Sequence, residues 1–147
     1  MDITKMLTHT HGGLRYLLLL VIGVAIIKFF LGWNKNRVFK PLDKKLALWT
    51  LILAHLQLVF GLVLYFLKGY PNTLASGEAE MGNGIFRYFA VEHLVLMLVA
   101  IALITVGYSR AKRMKLDFRK FRILLLTYLG SVLIISISLY MKVHYGA

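Results

Sequence analysis

Two histidines stand where a chain usually avoids polar groups: His55 in LAHLQLVFG and His93 in VEHLVLM, each flanked by aliphatic residues. An imidazole ligates iron while neutral, and its second nitrogen can be fixed by a hydrogen bond. Two such rings from neighbouring helices supply the axial ligands of a b-type haem, if they lie at nearly one depth on opposite faces of the porphyrin. Arg87 precedes His93 by six residues, and Arg15 opens the first apolar run in HGGLRY. Guanidiniums there suit haem propionates, whose charges must be paired or wetted. Gly13, Gly23, Gly61 and Gly130 would leave room for a flat group between helices.

Depth can be counted as helical rise. His93 lies about 9 Å inward of Arg87, and His55 about 15 Å inward of Tyr65. With Arg87 and Tyr65 at one level, the two rings differ by about 6 Å, much of which a helix tilt near 20° absorbs. The count therefore selects His55 and His93 as candidate iron ligands. Setting Arg15 level with Arg87 puts His11 about 15 Å from His93 and argues against that pair. His11 with His144, or His9 with either, makes a candidate outer site for a second haem or for zinc or copper. Met97, one turn inward of His93, is an alternative haem ligand, and Gln57 a candidate partner for a quinone carbonyl. Two other uses of the mid-span histidines stay open. One is interhelical hydrogen bonding, with Glu92 as partner to a histidine or to Arg15 or Arg87; the other is a proton or ion path. No residue set forms a catalytic site, so whether the chain is an enzyme is undecided by its residues.

The elements that must carry these side chains are written in the hydropathy. The 147 residues are 59% hydrophobic with a mean hydropathy of +0.73, and the excess falls in four runs, 12–33, 46–67, 86–108 and 121–141. Each has about 20 residues, the length of helix that crosses a hydrocarbon core about 30 Å thick. The expected fold is all-α: one domain, residues 1–147, forming an integral membrane four-helix bundle. The first run is followed rather than preceded by its basic residues, which argues against a cleaved signal peptide. The absence of cysteine excludes disulfides and thiolate-held iron–sulfur clusters.

A net charge of +12 would point to nucleic acid in a soluble chain. Here most of it sits in two short loops, NKNRVFKPLDKK and SRAKRMKLDFRK, whereas KGYPNTLASGEAEMGNG between them is nearly neutral. The positive-inside rule puts the two basic loops in the cytoplasm, beside anionic lipid, and both termini on the outer side of an inner membrane. GGLRY and GIFRY, with LVLYFLK and ISLYMK, hint at a parallel internal repeat.

HGGLRY, AHLQLVFGLVLY and FRYFAVEHLVLM together resemble the small bacterial four-helix membrane proteins described as cytochrome b-like. LQLVFGLVLY is also similar to segments of the haem A synthase family, each half of which is a four-helix, haem-binding unit. The resemblance covers nearly the whole chain. It implies one or two b-type haems and electron transfer, linked to quinol oxidation or to a respiratory complex, with membrane or periplasmic redox partners. In the synthase family the axial pair of one half comes from its second and fourth helices. His55 matches the first of these, but the fourth run here contains no histidine, which leaves His93 as the substitute. A homodimer would restore an eight-helix assembly. The alternative expectation is a non-catalytic accessory or assembly subunit of a larger membrane complex.

Overall fold

The structure is a computed structural model that describes residues 2–147. Its elements are α1 (Ile3–Asn34), α2 (Pro41–Leu67), the short α3 (Tyr70–Ala75), α4 (Gly84–Arg113) and α5 (Asp117–His144), with no strand among the described residues. The four long helices are each long and apolar enough to cross a membrane. The all-helical, four-span architecture expected from hydropathy is therefore present. Each helix overruns its apolar run, and α1 begins nine residues before position 12. The backbone keeps its hydrogen bonds where the side chains turn polar, helped by Asp2, whose carboxylate accepts from the Thr4 N–H at 3.4 Å. Pro41 opens α2 in the first turn, where its missing N–H costs nothing.

The helices close a ring in which α1 packs on α2 and α5, and α4 packs on α2 and α5. Inward-facing residues recur every three or four positions, as one face of a helix requires. On α1 they are Leu18, Ile22, Ala25 and Phe29; on α5 they are Leu124, Tyr128, Ser131, Ile135 and Ser138. The outer surface is apolar, with Leu20, Ile27, Val59, Phe66, Leu133 and Ile137 all exposed, while Thr50, Ser131 and Ser138 are buried. A bundle bathed in hydrocarbon is built that way. Lipid offers no penalty for exposed leucine, and polar groups are satisfied inside.

One contact sets how closely α4 and α5 approach. Gly107 on α4 lies against Thr127 on α5, so that a Cβ added there would overlap the threonine hydroxyl. Interhelical hydrogen bonds reinforce the packing: Ser131 Oγ donates to the Ala100 carbonyl at 3.0 Å, and Tyr128 Oη to the Ala47 carbonyl at 2.8 Å. At the end that carries the basic loops, buried Asp43 grips Arg37 through both oxygens, at 2.9 and 3.0 Å, and accepts from the Lys40 N–H at 2.8 Å. Asp117 accepts from the Phe39 N–H at 3.1 Å, which ties the first basic loop to the start of α5.

Gly107→Leu should destabilise the bundle by about 1–3 kcal/mol, the usual range for overpacking. Gly23→Ala, whose new methyl would meet nothing within 4 Å, should leave stability unchanged or slightly raised. Thermal unfolding in detergent checks the pair, and equal midpoints for both variants would contradict the packing described.

Candidate functional site

A cavity of about 390 Å³ runs between all four long helices, from Thr8, Lys68 and Lys142 at the α3 end down to Ile104. That is within the range of cofactor and small-molecule sites. Its walls are mainly aliphatic, and Gly12 and Gly61 are the residues that keep it open on α1 and α2. A Cβ at Gly61 would stand 3.2 Å from Cε1 of His11. Glycine at 61 is what lets the Cε1 edge of the His11 ring come close to α2.

His11 and His93 meet across this cavity. Their ring centroids are 6.4 Å apart with planes at 87°, and no hydrogen bond joins them. The depth count that separated them set Arg15 level with Arg87, and the count that paired His93 with His55 set Arg87 level with Tyr65; neither level holds. Tyr65 Oη donates to the Ala90 carbonyl at 2.8 Å, so Tyr65 is level with Ala90 rather than with Arg87. From that level His93 lies three residues inward on α4 and Gly61, beside His11, four residues inward on α2. The likeness of GGLRY to GIFRY likewise gave Arg15 and Arg87 a common depth and role that their side chains do not share.

His55 is not in the cavity. It lies six residues, about 9 Å, beyond Gly61 along α2, and its ring is exposed on the outer surface with Nδ1 2.8 Å from the Leu51 carbonyl. Positions 50, 54, 57, 61 and 64 form the inward face of α2, and residue 55 is turned about 100° from its neighbour at 54. The structure therefore pairs His93 with His11 and leaves His55 facing outward. His144 and His9 are also exposed, and His144 stacks on Tyr140 with ring centroids 6.1 Å apart. The outer site expected from His11 and His144 does not assemble, and no group of three or more metal-ligating side chains forms among the described residues.

His93 is held by hydroxyls. Its Nδ1 lies 3.1 Å from Ser138 Oγ and 3.2 Å from Tyr88 Oη, and these two oxygens are 3.0 Å from each other. The contact with Tyr88 depends on the backbone, because residues five apart on a regular α-helix are separated by about 140°. Residues Tyr88–Glu92 form a π-turn, in which the His93 N–H reaches back to the Tyr88 carbonyl. The wider turn places the two rings 5.4 Å apart. His11 is different: its Nδ1 is buried and has no partner, and the same is true of Gln57 Oε1 on the facing wall.

The charges divide in two. Arg15, Lys68 and Lys142 line the cavity, and no carboxylate does. Arg15 lies one turn inward of His11 and lines the cavity, and its guanidinium donates to Tyr16 Oη at 3.2 Å. Arg87 is not among the lining residues. Its guanidinium is occupied by Glu92 at 2.7 Å, the Met81 carbonyl at 2.9 Å and Tyr145 Oη at 3.1 Å. Arg87 thus binds the end of α5 and the preceding loop to α4, and of the two arginines singled out in the sequence only Arg15 lines the cavity. Met97 lines the cavity one turn below His93.

Comparison with protein-family models, with curated proteins and with solved structures returns no match for this chain.

If Arg87 is a structural tie, Arg87→Met should speed amide exchange across residues 78–87 while leaving the core of α4 near residues 100–107 protected. Hydrogen exchange read by mass spectrometry checks this, and an unchanged pattern at residues 78–87 would contradict the role.

Proposed function

We propose that this chain is a membrane-embedded electron-transfer protein that holds a b-type haem between His11 and His93. The observation that carries the reading is the meeting of two imidazoles across a mainly aliphatic cavity with no hydrogen bond between them. Their ring centroids, 6.4 Å apart, would leave room for one metal ion between the rings.

The chain's own groups have separable parts in this reading. His11 and His93 would hold the haem iron, and a pair of imidazole ligands suits electron transfer rather than conversion of a substrate. Arg15, Lys68 and Lys142 pair with the propionates, a dianionic edge meeting three cations in a wall free of acids. The aliphatic lining excludes water and, with the propionate pairing, tunes the potential. The haem itself supplies a one-electron couple. The basic loops 34–45 and 109–120 face the cytoplasm of a cell inner membrane and its anionic lipid, with the cavity near the opposite surface. A quinol and a periplasmic or membrane redox protein are the corresponding donor and acceptor classes.

A second reading, an accessory or assembly subunit, is favoured by one observation. His55 is exposed near the middle of α2, where an imidazole facing lipid calls for a partner in the membrane. A homodimer or a larger complex would provide one, and such a contact is compatible with haem binding in the cavity.

Haemin titration into detergent-purified protein separates the readings. The wild type should give a six-coordinate, low-spin spectrum with a shifted Soret band. His11→Ala and His93→Ala should each lose that spectrum and at least about 10-fold in affinity, since each removes an iron bond. His55→Ala should retain both, and Lys68→Glu with Lys142→Glu should weaken binding while the low-spin spectrum persists. Loss of the spectrum in His55→Ala with retention in His11→Ala would overturn the assignment.

A further inference from the structure

The triangle made by His93 Nδ1, Ser138 Oγ and Tyr88 Oη has no counterpart at His11, and the π-turn exists in the one helical segment where it brings residue 88 over residue 93. An interruption of this kind costs a regular hydrogen-bonding register, and π-turns occur frequently at functional sites. Both hydroxyl-bearing residues are buried, Tyr88 and Ser138 each being 1% exposed. They come from different helices, so the imidazole is gripped from its own helix and from the facing one.

We infer that Tyr88 and Ser138 are positioning residues for His93, fixing its ring plane and presenting Nε2 to the cavity; the inference rests on the haem reading above. When Nε2 ligates, the proton of the neutral imidazole is on Nδ1, and an N–H there needs an acceptor. The hydroxyl oxygens of Ser138 and Tyr88 are the two within reach. A hydroxyl can also turn its proton towards Nδ1, so the same pair satisfies the other tautomer before loading. This adaptability is absent from a carbonyl, which only accepts. Accepting from Nδ1–H makes the ring a more basic ligand, which favours the ferric state. Removing the acceptors should therefore raise the midpoint potential. The two ligands are also unequal: His93 is locked in orientation, whereas His11 is restrained by packing against Gly61. The asymmetry predicts that the His93 side tolerates less change around it.

The experiment compares wild type, Tyr88→Phe, Ser138→Ala, the double variant and Ser138→Thr, each titrated with haemin and then poised electrochemically. The double variant should bind haemin about 10-fold more weakly, with a higher midpoint potential and a changed low-spin electron paramagnetic resonance signal. Ser138→Thr, which keeps a hydroxyl, should return towards wild type. If the hydroxyls served only to join α4 to α5, thermal stability of the haem-free protein would fall while the potential and the resonance signal stayed unchanged, and that result overturns the inference alone. Failure of the wild type to give a six-coordinate spectrum overturns the haem reading and this inference with it. A double variant that does not fold leaves the single variants, which each remove one of the two acceptors, to decide by the same potential and signal.

Discussion

A polar nitrogen between apolar helices must find a partner, because neither lipid nor aliphatic side chains can replace water around it. Much of the site's arrangement follows from how this chain meets that requirement for two imidazoles. His93 is answered by two hydroxyls and a π-turn that brings one of them into range. His11 has no hydroxyl partner: its ring packs beside Gly61 and meets His93 across the cavity. Around the pair, Gly12 and Gly61 hold back side-chain bulk, and aliphatic residues from all four long helices make most of the wall. The three cations that line it are left without carboxylates.

That charge pattern is selective rather than general. Of the six acidic residues in the chain, Asp43 is spent on Arg37 and the Lys40 N–H, Asp117 on the Phe39 N–H and Glu92 on Arg87. The first two organise the end with the basic loops, and the third joins Arg87 in holding Tyr145, just past α5, against α4. The other three, Asp2, Glu78 and Glu80, are exposed and outside the cavity wall, which leaves no acid there beside Arg15, Lys68 or Lys142. An excess of basic residues explained only by membrane sidedness would gather in the two short loops. Arg15, Lys68 and Lys142 lie away from them, at the end where a dianionic edge is proposed to sit.

The four spans were legible because hydrocarbon length and helical rise leave little choice once an apolar run reaches about 20 residues. Their ends were less so, since a helix continues wherever backbone hydrogen bonds are kept. The histidine pairing was misread for two physical reasons. Levels were assigned from a short sequence likeness, and Arg87, made to match Arg15, belongs to an ion pair instead. Depth was also weighed without azimuth. Positions 8, 11, 15, 18, 22, 25 and 29 of α1 recur every three or four residues, and so do 47, 50, 54, 57, 61 and 64 of α2. These stripes place His11 and Gln57 inside and His55 outside, so that part of the site could have been found by following helical faces. The π-turn could not: nothing in YFAVE marks a change of register, and the contact of Tyr88 with His93 depends on it.

The most direct test is electron paramagnetic resonance of the oxidised, haem-loaded protein. Two imidazoles with planes near the 87° found here leave the two upper-filled iron d orbitals nearly degenerate. The expected spectrum is a low-spin signal with one very large g-value, lost when either His11 or His93 is replaced. A high-spin signal in the wild type, or a rhombic low-spin one that survives replacement of His11, would show that these two rings do not share an iron.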